Sequence, residues 1–116
     1  MFSLGLKDAG CVLNMIEAID KIEKYTEAFS SAGEFESHVL AFDACLMNFI
    51  LIGEMVERIS DDLKHRSEAE INWYRIKGFR NIIAHNYFGV DAEEVWDIIK
   101  NHLPTLKGNL QILVNG

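Results

Sequence analysis

The chain has 116 residues, 49% of them apolar, with eight glycines, one proline and a net charge of −7. That length supports one domain with a real core and excludes two. The composition predicts a globular, largely helical protein, and the negative charge argues against indiscriminate nucleic-acid binding.

Met1 to Lys7 lacks the basic-then-apolar layout of a secretory signal, and no uninterrupted apolar run approaches the roughly 18 residues of a membrane span. From about Lys7 to Phe29, Val12, Met15, Ile19, Ile22, Thr26 and Phe29 recur every three or four positions, with Glu17, Asp20, Glu23 and Glu27 opposite. This predicts an amphipathic helix. Ser30 to Gly33 supplies a break, with Gly33 as the stop or turn residue. A second helix is expected from about Phe35 to Ile59. Its apolar side chains, Val39 and Leu40 through Val56 and Ile59, cover so much of the circumference that two faces must be buried. In so small a chain the second face predicts a subunit interface. Asp43 interrupts that face, where a rim position or a cationic partner is the plain reading. Cys11 and Cys45 have no partner at metal-ligand spacing and fit reduced core thiols of a cytoplasmic protein.

Ser60 to Glu70 is polar and predicts a connection with one helical turn, capped by Ser60 or Asp61. Helical periodicity resumes from Trp73 to Ala84 and should stop near His85, because Asn86 and Gly89 tolerate the left-handed conformation. Asp91 is a suitable N-cap for a last helix, with Glu93 and Glu94 at the positive end of its dipole. Pro104 predicts a bend in that helix, and Val114 to Gly116 a frayed tail. The expected architecture is all-α: a single domain over residues 1–116, folded as an up-and-down bundle of four to five helices.

Between Arg58 and His85 six basic side chains face four acidic ones, a local +2, while the remainder carries five basic and fourteen acidic, or −9. Within this basic segment or just past it lie Arg80, Asn81, His85, Asn86 and Tyr87. An arginine holds a phosphate and stabilises charge building on it; a histidine titrating near neutrality moves the proton. Together they suit RNA cleavage without a metal, the ribose 2′-hydroxyl attacking its own phosphate. Tyr87 would orient substrate, and Asn81 would position a phosphate or His85. On a straight helix, however, His85 faces about 140° away from Arg80. They converge only if the chain turns near Asn86 and Gly89, or if a second subunit supplies the missing partner. The plainer alternative is a helix end whose dipole is complemented by Arg80 and His85 and anchored by Tyr87. His38, His65 and His102 are scattered, and no glycine-rich phosphate loop or nucleophile motif is present, so no metal or cofactor is expected.

Arg80-Asn81-Ile82-Ile83-Ala84-His85-Asn86-Tyr87 resembles the R-N-x-x-x-H-x-Y motif of the HepT-like HEPN family. Phe88 to Asp91, Val95-Trp96, Leu103-Pro104, Ile52-Gly53-Glu54, Asp43 and Ile71-Asn72-Trp73 are similar to that family as well. One departure is Ser67 to Ile71, where the family has a proline before the tryptophan. The resemblance implies an all-α homodimer with the arginine–histidine motifs of both subunits lining an interfacial cleft. It implies a metal-independent ribonuclease toxin acting on RNA in the cytoplasm, with no membrane association. It also implies a partner, a minimal nucleotidyltransferase antitoxin that transfers AMP onto the motif tyrosine. Carried over, Arg80 and His85 are catalytic, Tyr87 is the AMP acceptor, and Asn81 and Asp43 support the site. The alternative is a non-catalytic nucleotide-binding or regulatory subunit of a minimal nucleotidyltransferase.

Overall fold

Side-chain caps set most helix starts in the computed structural model, which describes residues 4–115. Ser31, His38, Ser60, Asn72 and Asp91 each accept a hydrogen bond from a backbone N–H two or three residues further on. They open α2 (Ala32–Ser37), α3 (Val39–Arg58), α4 (Asp61–Ser67), α5 (Trp73–His85) and α6 (Ala92–Asp97). Before them runs α1 (Leu6–Thr26); after them a wide π turn (Ile98–His102) leads into α7 (Leu103–Asn115). The fold is all-α, with no strand among the described residues.

Several boundaries differ from those the sequence predicts, each for a local reason. α1 ends at Thr26 rather than Phe29, and the Thr26 hydroxyl turns back to donate to the Ile22 carbonyl at 2.8 Å. Gly33 lies inside α2 and stops nothing, because no described residue has a positive φ. The expected second helix is two helices. His38 sits at φ −92° and ψ 86°, and its Nδ1 accepts from the Ala41 N–H at 3.2 Å, so the ring caps α3 instead of continuing α2. Phe35 therefore belongs to α2, fully buried against the rings of Phe42 (5.0 Å) and Trp96 (5.6 Å). The polar connection contains a true seven-residue helix, α4, held down by buried Leu63 and capped by the Ser60 hydroxyl. The π turn lies directly before Pro104, whose missing N–H would have bonded to Lys100. Val114 and Asn115 continue α7 instead of fraying. Met1 to Ser3 and Gly116 lie outside the described residues, and so do the expectations that fell on them.

At the centre is α3. It packs against α1 on one side and α5 on the other, while α7 closes on α1 and α2 bridges to α6. Val12, Met15, Ile19 and Ile22 of α1 meet Cys45, Leu46, Phe49, Ile52 and Val56 of α3 in one buried cluster. Each such side chain contributes about 1.5–3 kcal/mol when fully buried. Lys107 ties α7 to α1 through Asp20 (2.6 Å) and Glu23 (3.1 Å). Burial pushes the Cys45 thiol up to about 12, as befits a protonated core thiol.

The broad apolar surface of α3 is thus consumed by two neighbours within the chain. A narrower strip is still exposed: Leu40 (79%), Met47 (56%) and Leu51 (44%) share one helical face with Asp43 and Glu54. Although Asp43, Asn48 and Glu54 interrupt its apolar run, α3 is by length and composition long and apolar enough to cross a bilayer, with a mean hydropathy of 1.9, as core helices can be. That length is used here to fill the middle of the bundle.

Candidate active site

The approach of α3 to α5 depends on Gly53. A Cβ built there would lie 2.2 Å from the Cβ of Arg80 and 2.4 Å from its Cγ. The missing side chain lets the Arg80 stem run across the face of α3. Its guanidinium then finds Glu54 next along the helix: Nη2 donates to Glu54 Oε1, and Nη1 donates to Asn81 Oδ1 at 2.7 Å. Arg80 is half-buried, and its Nε–H is buried with no acceptor among the described residues. A buried unpaired donor costs about 1–3 kcal/mol, a penalty that tends to accumulate at functional sites.

Two further contacts join the same pair of elements. Lys77, one turn before Arg80, donates to Glu57 at 2.9 Å. That hydrogen bond, followed by the charges of Lys77, Arg80 and Lys64, holds the Glu57 carboxyl below its ordinary range. Lys64 and Lys77 line a cavity of about 670 Å³ together with His65 and Tyr74. At the other end, Tyr87 Oη donates to Asp43 Oδ1 at 2.6 Å. The hydrogen bond to Asp43, then burial, raise the Tyr87 phenol above its ordinary value of 10. Asp43 is exposed, as a rim position requires, and among the described residues its partner is a phenol rather than a cation.

Arg80 and His85 share one uninterrupted helix, and the chain turns only after His85. The expected turn thus follows His85 directly and leaves Arg80 and His85 five residues apart on α5. Asn86 ends α5 at φ −143°, not in the left-handed region, and a 3₁₀ turn (Tyr87–Gly89) follows. A Cβ at Gly89 would sit 2.5 Å from the Asn86 side-chain amide, so that exposed side chain would have to move. His85 is exposed, at the carboxyl end of α5. Asp43 and Glu54 are eleven residues apart on α3, so Tyr87 and the Arg80 guanidinium are anchored about 16 Å apart along that helix. Arg80 and Asn81 are joined by a hydrogen bond, whereas Tyr87 is tied to Asp43. Among the described residues no three His, Cys, Asp or Glu side chains are grouped to hold a metal ion.

Residues 15–113 match the model of the family described as "Ribonuclease HepT-like". The chain belongs to this HepT-like ribonuclease family. It is 32% identical over 100 residues to "Probable ribonuclease HepT" of Thermococcus cleftensis, covering 86% of this chain and 89% of the relative. It is 31% identical over 102 residues to "Gamma-glutamylcyclotransferase and putative RNase MJ0434" of Methanocaldococcus jannaschii. That match covers 87% of this chain but 45% of the relative, so the chain spans about half of that longer protein. A third relative, "Putative RNase MJ1380" of the same organism, is 26% identical, with 86% of this chain and 90% of the relative covered. No solved structure matches the chain.

The HepT-like site has parts that motif reading did not assign. Glu54 and Gly53 were visible only as a resemblance, and their work on Arg80 emerges from the close packing of α3 and α5. A glycine in the middle of an apolar helix was the available signal. Lys77 and Glu57 carried none beyond their charge.

Proposed function

We propose that the chain is a metal-independent endoribonuclease of the cytoplasm and the toxin of a toxin–antitoxin pair, working as a homodimer. The single observation that carries this reading is Arg80: half-buried, braced by Glu54 and Asn81, and five residues from an exposed His85 on one rigid helix. A braced guanidinium is preorganised for the charge of a pentavalent phosphate. An exposed imidazole is free to take the 2′-hydroxyl proton or to protonate the departing 5′-oxygen. The 2′-oxygen bonds to phosphorus, the bond to the 5′-oxygen breaks, and the products carry a 2′,3′-cyclic phosphate and a 5′-hydroxyl.

One chain offers Arg80 and His85 on different faces of α5. A second copy docked along the exposed Leu40, Met47 and Leu51 strip would set two motifs against each other, and the strip runs between the two polar contacts of the site. That continuity supports a dimer cleft shared by both motifs. Tyr87 is the acceptor of AMP from a minimal nucleotidyltransferase partner, which would switch the site off.

The test is cleavage of a mixed RNA pool by purified protein, with and without a chelator. The expected result is cyclic-phosphate ends formed equally in both, and lost by on the order of 10²-fold or more in His85→Ala. Intact RNA with wild-type protein, together with equal harmlessness of wild type and His85→Ala to cells, would sink the reading. A second reading, a nucleotide-binding or regulatory subunit without catalysis, draws on the neutralisation of Arg80 by Glu54. It predicts nucleotide binding that survives His85→Ala.

A further inference from the structure

Tyr87 has a neighbour that ribonuclease chemistry does not use. The chain has three tyrosines. Tyr25 and Tyr74 are exposed, yet among the described residues Tyr87 is the tyrosine whose hydroxyl is tied to a carboxylate. That carboxylate, Asp43, comes from a helix 44 positions away in sequence. It lies on the exposed strip of α3 between Leu40 and Met47, open to solvent, and no described cation pairs with it. Its negative charge is therefore not offset, and the proton nearest to it is the phenol's, across 2.6 Å.

The geometry points to Asp43 as the proton acceptor that makes Tyr87 a nucleophile toward the α-phosphate of a nucleoside triphosphate. The inference rests on the reading of Tyr87 as the AMP acceptor. A phenol attacking phosphorus must shed its proton as the new bond forms, and a carboxylate already accepting that proton is placed to take it. Tyr87 Oη bonds to the α-phosphorus, and the bond from that phosphorus to the bridging oxygen of the β-phosphate breaks. Pyrophosphate leaves with the electron pair, and the phenol proton passes to Asp43 and on to water. The raised phenol pKa has the same origin and keeps the hydroxyl protonated until attack. The chain would thus carry the base for its own inactivation, and the partner would deliver the triphosphate.

The competing explanation is a tether: the hydrogen bond simply pins the 3₁₀ turn to α3. Asparagine separates the two, since its carbonyl oxygen still accepts from the phenol but cannot take up the proton. Wild type, Asp43→Asn, Asp43→Glu and Tyr87→Phe are each incubated with ATP and a minimal nucleotidyltransferase co-expressed with the chain. AMP on Tyr87 is followed by peptide mass spectrometry. Asp43→Asn should slow transfer by on the order of 10²-fold, the scale of one general base, while Asp43→Glu stays well above it and Tyr87→Phe acquires nothing. Transfer to Asp43→Asn at the wild-type rate overturns the proposal.

If wild type itself gains no AMP on Tyr87, the acceptor reading fails instead, and a second arm decides on the base alone. N-acetylimidazole acylates tyrosine hydroxyls without any partner. Tyr87 should acylate about tenfold faster in wild type than in Asp43→Asn, with exposed Tyr74 unchanged as the internal control. Equal labelling of Tyr87 in the two proteins overturns the proposal whatever the transferase does.

Discussion

The two ends of the α3–α5 contact use the same kind of pair, a carboxylate from α3 and a donor from the motif, in opposite surroundings. At the Arg80 end the packing is tight. Gly53 removes a side chain, the guanidinium stem fills its place, and Glu54 and Asn81 fix the head group. At the Tyr87 end the pair is at the surface, on a short 3₁₀ turn beside fully exposed Phe88. A group that must stabilise charge gains from being held rigidly, because no reorganisation is then needed at the moment of reaction. A group that must be reached by another protein gains from exposure. The difference in packing fits the different work proposed for the two ends, and it can be broken from either side.

The largest effect should come from the braced end. Arg80→Lys keeps the charge but loses the planar fork that reaches Glu54 and Asn81 together, so RNA cleavage should fall by on the order of 10²-fold. Tyr87→Phe, at the exposed end, should cleave within a few fold of wild type. Initial rates on a fluorescent RNA check both, and similar losses in the two variants would erase the contrast.

Next is Gly53→Ala. The added methyl would sit 2.2 Å from Arg80 Cβ, so backbone or stem must shift. Overpacking of this kind costs about 1–3 kcal/mol. Urea denaturation should show that loss, and cleavage should fall with it because the displaced stem carries the guanidinium. A stable, fully active Gly53→Ala protein would show that the close approach has no bearing on the site. Smaller again is Glu54→Gln. The pair is partly exposed, so its contribution to stability should be at most about 1 kcal/mol. Its effect should appear in the cleavage rate, since the glutamine oxygen still accepts from Nη2 but the charge that fixes the guanidinium is gone while the fold persists.

The same contrast explains how much of the molecule was legible in the sequence. Apolar periodicity revealed α1, α5 and the central part of α3, because burial of a single face leaves a repeat of three and four. Turn chemistry was read less well. Gly33 suggested a stop or turn and lies inside α2, while Asn86 and Gly89 marked the end of α5 correctly without either taking a positive φ. A histidine cap at His38 split one expected helix in two, an event with no hydrophobic signature. Asp43 and Glu54 could be noticed but not assigned. Their partners lie 44 and 26 positions away, and only packing of α3 on α5 decides which carboxylate meets which donor.

The smallest effects are titrations, and they oppose each other in sign at the two ends. Accepting the phenol proton, Asp43 favours the protonated form of Tyr87, so its pKa lies above the ordinary 10. Any stability gained from that bond is present below pH 10 and lost as pH rises through the raised value. Glu57 runs the other way. Lys77 favours its ionised form, so that contribution is present above the ordinary 4.5 and lost as pH falls through the lowered value. Ultraviolet titration of a protein with Tyr25 and Tyr74 replaced by phenylalanine isolates Tyr87. Asp43→Asn should bring its midpoint down toward 10, since the neutral amide no longer opposes phenolate formation. Because the hydrogen bond outweighs the through-space charge among the causes of the shift, added salt should move the wild-type midpoint less than the substitution does. A midpoint that salt alone restores to 10 would mean that Asp43 acts as a distant charge, and a distant charge cannot receive the proton.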